Sequence, residues 1–316
     1  MPDVKRILVG VDLLQAVQSG ETRFSAPLEQ AIKQAIWLGG KARAELTFFA
    51  AVELSAAEIQ PLGDDPADIE RRIEALGQSV LQELVDRAAK DGVAAKSQLT
   101  TGKGWVEITR EVVRGGHDLA IVGTRGMGAI GRMLFGSTAM KLLQNCPCPV
   151  WVTRPDARPA PTNLLVASDF SEVSDSALRL AMRLAALAGA NVHLLHVFNS
   201  PFARLSDAGL IEANLEETYH ARDLKHAQRR LEEQLQRVSG GQPHARVKQE
   251  VVQGVGSPDA YILEFIKAHE IDLLVMGTMA RGGIPGVFIG NTAERLVHQA
   301  GCSLLAVKPA DFKCPI

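Results

Sequence analysis

The chain lacks both an excess of charge of one sign and any long apolar run. Its 316 residues carry 34 Lys and Arg against 36 Asp and Glu, a formal net charge of −2 at pH 7. Such a balance leaves no electrostatic footprint for nucleic acid or for an anionic membrane surface. No stretch of about 18 apolar residues is present, so no membrane span is expected. We therefore expect neither nucleic acid nor a membrane as a partner.

Cysteine and export signals are also scarce. Four cysteines are too few for a disulfide scaffold. Cys148 and Cys302 each stand at the entry of a strand-like run, which favours a role as small buried packing residues. The N-terminus shows no cleavable signal pattern, because a strand-like run begins already at Ile7. We therefore expect a cytoplasmic protein.

Motifs for ATP-driven catalysis are missing. The sequence has no Gly-x4-Gly-Lys-(Ser/Thr) phosphate loop, and no acid pair or Ser/His/Asp order marks a catalytic site. The Ser-Gly-Gly-x-Asp-Ser type loop of ATP-pyrophosphatases is absent after the first strand-like run. The sequence therefore gives no sign of an enzyme of these classes.

What the chain does contain is an internal duplication. Asp118-Leu119 matches Asp272-Leu273 and Gly123-Thr124 matches Gly277-Thr278, each pair 154 residues apart. A polar, Pro-rich stretch separates the two copies. Such stretches are typical of linkers. The sequence therefore predicts a first domain at 1–155, a linker at 156–162 and a second domain at 163–316.

Each copy alternates short apolar strands with helices. Strands of the first copy are predicted near 5–12, 45–52, 95–101, 118–123 and 149–153, with helices near 26–38, 68–91, 104–115 and 134–144. Helices of the second copy are predicted to begin near Glu172, Ser257 and Gly290, and a longer one carries an apolar stripe of Leu224, Leu231, Leu235 and Val238. Strands joined by helical crossovers form parallel sheets. The predicted fold is α/β, with two tandem doubly wound domains, each a five-stranded parallel sheet with helices on both faces.

In such sheets, ligands bind beyond the carboxyl ends of the strands, where the strand order reverses. Strand one of each copy ends in an acid, Asp12 or Asp169, and strand two ends near Ala51 or near His196-Val197. An acid at this place could accept hydrogen bonds from ribose hydroxyls or from an adenine amine. Asp169 could instead cap the helix that follows it. His196 is open to two interpretations, packing or ligand contact.

The glycine loop after strand four of the first copy carries more information. Gly123 and Gly126 allow a tight backbone path, and Gly136, Ser137 and Thr138 stand where a helix begins. Backbone N–H groups and hydroxyls at a helix start can hold anionic oxygens. A lone Gly-x-x-Gly would be better explained as a turn. The full spacing between a strand and a helix favours a phosphate site.

These features resemble those of the universal stress proteins, whose signature is Gly-x2-Gly-x9-Gly-(Ser/Thr). Four positions of the first copy match it in full: Gly123, Gly126, Gly136 and Ser137. The run Leu164–Glu172 is similar to the opening strand and loop of that family, and Leu194–Val197 is similar to its second strand. The run Gly290–Pro309 resembles the tandem E-type branch. The resemblance covers essentially the whole chain.

The resemblance implies an adenine-nucleotide α-hydrolase-like fold and a stress-response protein that binds ATP or AMP, with or without Mg²⁺. In its ATP-binding members the strand-one acid contacts the nucleoside, the strand-two residue packs near adenine, and the glycine loop holds the phosphates. Carried over to the first copy, the binding residues are Val11, Asp12, Gly123, Gly126, Gly136, Ser137 and Thr138. Those of the second copy are Ser168, Asp169, Val197, Met276, Gly277, Gly290, Asn291 and Thr292. The two copies are also expected to imitate the dimer of single-domain members around a pseudo-twofold axis, with a homodimer of the whole chain as a further option.

The second copy departs from the signature. Ala280 replaces the second motif glycine and Asn291 replaces the hydroxyl residue, so we expect a different loop path and weaker anion binding. The resulting hypothesis is an adenine nucleotide in the first domain and a degenerate second site. Two alternatives stay open: a non-catalytic binding module for another small or amphipathic ligand, in the pocket beside Ala280, and a slow ATPase.

Overall fold

The computed structural model describes residues 4–13, 24–53, 66–124, 126–127, 133–199, 213–241, 246–278 and 290–316. The chain divides into two compact units. One comprises Pro2–Ala160 together with Asp311–Ile316, and the other comprises Pro161–Ala310. We call them the first and the second domain.

The first domain alternates strands and helices along the chain. Its described elements are β1 (Arg6–Gly10), α1 (Ala26–Ala42), β2 (Glu45–Val52), α2 (Pro66–Lys90), β3 (Ala95–Thr101), α3 (Gly104–Gly115), β4 (Leu119–Gly123), β5 (Gly126–Met127), β6 (Met133–Leu134), α4 (Ser137–Asn145) and β7 (Val150–Thr153). β5 and β6 pair as a short antiparallel ribbon. The other five strands form a parallel sheet in the order β3-β2-β1-β4-β7.

The second domain repeats this architecture. Its described elements are β8 (Asn163–Ala167), α5 (Glu172–Ala188), β9 (Asn191–Asn199), α6 (Ala213–Ser239), β10 (Val247–Gly254), α7 (Pro258–Ala268), β11 (Leu273–Gly277), α8 (Asn291–Gln299) and β12 (Ser303–Val307). The five strands are parallel in the order β10-β9-β8-β11-β12. The α/β fold with two five-stranded doubly wound domains is thus confirmed.

The strands are buried on both faces, as parallel sheets flanked by helices require. Ile7, Leu8 and Val9 of β1 are fully buried, and Leu164–Val166 of β8 are buried to the same extent. Continuous burial explains why these strands are unbroken apolar runs in the sequence. In each sheet the chain moves outward from its first strand and then returns to that strand's other side. The strand order therefore reverses beside β1 and beside β8.

The apolar stripe predicted for the long helix α6 is partly wrong. Leu231 is fully buried, but the next inward position is Gln234, which is also fully buried. Leu235 and Val238 are only half-buried. Residues three and seven apart share a helix face, so the inward stripe runs through Ala227, Leu231 and Gln234.

None of the helices in the described ranges is long and apolar enough to cross a bilayer.

Candidate functional site

A cleft of about 450 Å³ lies at the carboxyl ends of the strands in the second domain, where the strand order reverses. Further walls come from the start of α5, from Pro258 and Ile262 of α7, and from the start of α8. The lining includes every binding residue predicted for the second copy: Ser168, Asp169, Val197, Met276, Gly277, Gly290, Asn291 and Thr292. The fold therefore gathers residues from three strand ends and one helix start around a single cavity.

The turn after β8 forms one wall of this cleft. Ser171 is the N-cap of α5, and its Oγ accepts a hydrogen bond from the Ser174 N–H at 3.2 Å. Asp169 Oδ1 accepts from the Ser171 N–H at 3.0 Å. The alternative in which Asp169 caps the helix is therefore wrong. Its carboxylate stabilises the turn that leads into the helix and stays at the cleft wall.

Phe170 holds a rare conformation in this turn. Its φ is 66°, in the left-handed region, which costs a side-chain-bearing residue about 1–2 kcal/mol. Ser168 Oγ accepts from the Phe170 N–H at 3.1 Å. The phenyl ring contacts the His196 ring, with 4.1 Å between centroids, and the Arg230 guanidinium carbon, 4.0 Å from the phenyl centroid. A tilted ring contact and a cation–π contact thus hold the strained residue in place.

His196 is both hydrogen-bonded and part of the cleft wall. Its Nδ1 lies 2.8 Å from the Ser168 carbonyl oxygen. A carbonyl oxygen can only accept, so Nδ1 carries the hydrogen. The contact fixes the tautomer and the orientation of the ring. Packing and ligand contact, the two interpretations of His196 from the sequence, are therefore compatible. The Nδ1 side of the ring is held by a hydrogen bond, and the residue also lines the cavity.

The opposite wall is the start of α8. Gly290 is the N-cap, with φ −71° and ψ 151°, and no side chain caps the helix. The Gly290 N–H donates to the Thr278 carbonyl at 2.9 Å, which ties the start of α8 to the end of β11. The first N–H groups of a helix form its positive dipole end, and Asn291 and Thr292 supply them here. Ala280 lies outside the described residues.

The first-domain candidates occupy the corresponding strand ends. The Val11 N–H bonds to the Phe49 carbonyl at 2.8 Å, as the Ser168 N–H bonds to that of Leu195 at 2.8 Å, so Val11 and Ser168 are counterparts. Asp12 is exposed. Gly123 ends β4, Gly126 lies in β5, Gly136 is the N-cap of α4, and Ser137 and Thr138 begin that helix. Arg125 and residues 128–132 of the same loop lie outside the described residues.

Gly123 has a packing reason to be glycine. A Cβ built there would lie 2.9 Å from the backbone nitrogen of Leu28 and 2.9 Å from the carbonyl carbon of Pro27. The first turn of α1 therefore approaches β4 through the space that a side chain would fill. At the matching Gly277, a Cβ would meet the side-chain Cγ1 of Val173 at 2.8 Å instead.

The charge around the cleft is modest. Among the described residues that line it, none is lysine or arginine. The described part of the chain also holds no group of three His, Cys, Asp or Glu that could bind a metal ion.

The sequence did not predict the wall supplied by α7, nor the contact of Phe170 with His196 behind the cleft residues Ser168 and Asp169. Nothing local in a sequence signals a positive φ at a non-glycine residue such as Phe170. Pro258 had a usable signal, since Ser257-Pro258 is a typical helix start beyond a strand.

Two doubly wound domains, each with a parallel sheet, and a cavity where the strand order reverses define a tandem protein of the adenine-nucleotide α-hydrolase-like fold. The chain belongs to the universal stress protein family, whose family model matches residues 3–154 and again 161–308. Universal stress protein E of Photorhabdus laumondii is 26% identical over 219 residues, 66% of this chain and 67% of that protein. A universal stress protein of Mycolicibacterium smegmatis is 30% identical over 194 residues, 60% of this chain and 62% of its own length.

The solved structures agree at the level of the fold. A universal stress protein from Archaeoglobus fulgidus superposes with a TM-score of 0.68 at 18% identity, covering 97% of this chain and 99% of its own. The matched segments of the relatives from P. laumondii and M. smegmatis span about two thirds of their lengths.

Proposed function

We propose that this universal stress protein acts in the stress response by binding an adenine nucleotide at the carboxyl ends of its sheets. The observation that carries the proposal is the convergence of eight binding residues, predicted from the sequence, on one cavity of about 450 Å³. A volume of 300–1,000 Å³ is usual for small-ligand pockets. The cavity also lies at the reversal of strand order, where such sheets bind their ligands.

Each part of a nucleotide has a matching feature in the second domain. The Asp169 carboxylate is an acceptor for ribose hydroxyls. Val197 and Met276 offer apolar surface for the base, and the start of α8 at Gly290 offers uncapped N–H groups for a phosphate. The phosphate binds there without a described cation beside it, which favours AMP over ATP in this cleft.

In the first domain, the proposed nucleotide site uses Val11, Asp12 and the intact signature. Gly136 caps α4 with φ −68° and ψ 159°, and no side chain caps this helix either. Ser137 adds a hydroxyl that Asn291 lacks in the second domain. Phosphate binding is therefore proposed to be stronger in the first domain, and the second site is degenerate in that respect.

A second candidate function has its own support in the cleft. Leu195, Ile262 and Leu296 line it as well, and no described lysine or arginine does. Such a lining suits an uncharged, partly apolar small molecule. This candidate makes the second domain a binding module for a ligand other than a nucleotide.

The proposed function is binding and does not include efficient catalysis. The sequence carries no recognisable acid–base pair, and the proposal includes at most slow ATP hydrolysis. Mg²⁺ enters only as a companion of ATP phosphates. Location in the cytoplasm, pairing of the two domains as a pseudo-dimer, and a homodimer of the chain stay predictions from the sequence.

The test is an equilibrium titration of AMP and ATP with a matched pair of variants. Val197→Trp fills the second cleft, and Ala51→Trp is its control at the corresponding end of β2. Two functional sites predict that each variant lowers the stoichiometry from two to one. A second domain that binds no nucleotide predicts loss only with Ala51→Trp. The absence of saturable binding by the wild-type protein would overturn the proposal.

Native mass spectrometry of freshly purified protein distinguishes the second candidate. A retained ligand adds its own mass to that of the chain. An added mass that matches no nucleotide, and that disappears in Val197→Trp, would support the alternative ligand.

A further inference from the structure

A buried polar network stands behind the second cleft, and Gln234 of α6 is its centre. The Gln234 side chain is fully buried and does not line the cavity. Its Oε1 accepts from the Ser168 hydroxyl at 2.6 Å. Its Nε2 donates to Ser174 Oγ at 3.0 Å and to Asp175 Oδ1 at 2.8 Å. One side chain thus joins the end of β8 to the first turn of α5.

Neighbouring groups fix the orientation of this amide. Asp175 Oδ1 and Oδ2 also accept from the Arg237 guanidinium at 2.9 and 2.8 Å, so Asp175 is an acceptor. A reversed amide would set its oxygen against that carboxylate. Ser174 Oγ donates to the Ser171 carbonyl at 2.8 Å, which leaves it to accept from Gln234. Every donor and acceptor of the Gln234 amide is therefore used, the condition for a stable buried network.

The first domain has apolar residues at the corresponding places. Glu29 is the fourth residue of α1 and is bound by both terminal nitrogens of Arg87, at 2.6 and 2.9 Å. Asp175 is the fourth residue of α5 and is bound by Arg237 in a similar way. With these ion pairs as reference points, the network residues Ser168, Ser174 and Gln234 correspond to Val11, Leu28 and Leu84, all buried.

The fold therefore does not need polar groups here, because the same architecture packs with hydrocarbon in the first domain. Burying polar groups is costly unless every hydrogen bond is made. A feature that the fold can do without, and that lies directly behind a cavity, points to a role in that cavity.

We propose that Gln234 is a positioning residue of the second-domain cleft and that it sets the ligand-binding geometry through Ser168. Ser168 is held by Gln234, and it in turn accepts from the Phe170 N–H and, through its carbonyl, from His196 Nδ1. Without Gln234 the Ser168 hydroxyl loses its acceptor at 2.6 Å and keeps only Ser174 Oγ, at the longer distance of 3.4 Å, so its orientation is no longer fixed. The turn with Phe170, and the His196 ring in contact with it, then lose their fixed position.

This inference rests on the proposed function, since it assumes a ligand in the cleft. The test uses the full-length protein with ¹⁵N-labelled histidine and AMP as the probe. Gln234→Met removes the hydrogen bonds at nearly constant volume. Leu231→Met, one turn earlier on the same buried face of α6, is the control. Gln234→Leu, which installs the residue of the first domain, is a second test variant.

Two readouts are needed. The ¹⁵N signals of the His196 ring, assigned with His196→Gln, report its tautomer, and their shift on titration reports AMP at this cleft alone. We expect the wild type and Leu231→Met to keep the Nδ1–H tautomer and the same Kd. In Gln234→Met and Gln234→Leu we expect mixed tautomers and a Kd about tenfold higher. Thermal unfolding of all variants shows that binding is compared between folded proteins.

A purely structural role gives a different result. If the Gln234 variants bind AMP as the wild type does, or if Leu231→Met weakens binding to the same degree, the proposal is overturned. If addition of AMP to the wild-type protein does not shift the ¹⁵N signals of the His196 ring, the proposed nucleotide binding in this cleft is wrong. Unchanged His196 tautomers in the Gln234 variants would then overturn the positioning role as well.

Discussion

The phenyl ring of Phe170 contacts the imidazole of His196 in a tilted arrangement, with 4.1 Å between centroids and 42° between planes, while the main chain of Phe170 has φ 66°. A large residue in the left-handed region is unusual, and such strain often accompanies functional sites. The strained turn and a wall of the cleft are therefore the same piece of chain.

The strain can be measured with a pair of substitutions. Phe170→Gly and Phe170→Ala both remove the ring, but only glycine adopts a positive φ freely. We expect the glycine variant to be more stable by about 1 kcal/mol, measured by urea denaturation. Equal stabilities, or a more stable alanine variant, would show that this turn carries no backbone strain.

The matching glycines of the two domains should differ in their tolerance of a methyl group. In Gly123→Ala the new Cβ meets the backbone of Pro27 and Leu28, which cannot rotate away. In Gly277→Ala it meets the Val173 side chain, which can shift. We expect Gly123→Ala to lose about 1–3 kcal/mol of unfolding free energy and Gly277→Ala clearly less. Chemical denaturation of both variants tests this order, and a larger loss at Gly277 would contradict it.

Stability should decrease on mild acidification because of His193. The ring is 5% exposed and lies 3.3 Å from Glu250 Oε1, and burial lowers its pKa below the usual 6.5 despite that carboxylate. Below pH 6.5 His193 binds a proton in the unfolded chain, whereas in the folded protein it stays neutral until the pH reaches its lowered pKa. The free energy of unfolding should therefore decrease as the pH falls from about 6.5 through the lowered pKa.

The variant that tests this prediction is His193→Gln, with the wild-type protein as its reference. His117 is also buried, and burial lowers its pKa as well, so part of the pH dependence should persist in the variant. Denaturation between pH 5 and 7.5 should show a shallower slope for His193→Gln than for the wild type. Identical slopes would rule His193 out as a source.

The thiols should differ sharply in reactivity. Cys146, Cys148 and Cys302 are buried, whereas Cys314 is partly exposed. A hydrogen bond with Cys146, together with burial, raises the pKa of Cys148 well above its usual value, so its thiolate is scarce. We expect one of the four thiols to react quickly with an aromatic disulfide reagent in the native protein, and all four after denaturation. A fast phase that survives in Cys314→Ser would contradict this assignment.

The fold could be predicted from the sequence because each strand is a short apolar run buried on both faces. Helix starts were equally legible: α5, α7 and α8 begin at or one residue after the predicted Glu172, Ser257 and Gly290. Parallel pairing then placed the strand-end residues together, since carboxyl ends meet at one edge. Asp169 and Val197 belong to these strand ends, whereas the full set of candidates in the second cleft, including Asn291 at a helix start, came from the resemblance to the universal stress proteins.

The buried hydrogen-bond network behind the cleft could not be predicted in the same way. Gln234 acts through Ser168, 66 residues away in sequence, and the distance between α6 and β8 is set by tertiary packing. A weak signal existed, because a glutamine interrupts the inward stripe of Ala227 and Leu231. Hydrophobicity alone instead favours a stripe through Leu235, which is only half-buried in the structure.

The close approach of α1 to Gly123 also changes how the family signature should be used. The first signature glycine is required by helix-to-strand packing, whatever the neighbouring cavity holds. A descendant that lost its ligand would keep this glycine under the same steric pressure, whereas Ser137 and the loop residues would be free to drift. As a marker of ligand binding, the first glycine therefore carries less weight than the hydroxyl residue that ends the motif.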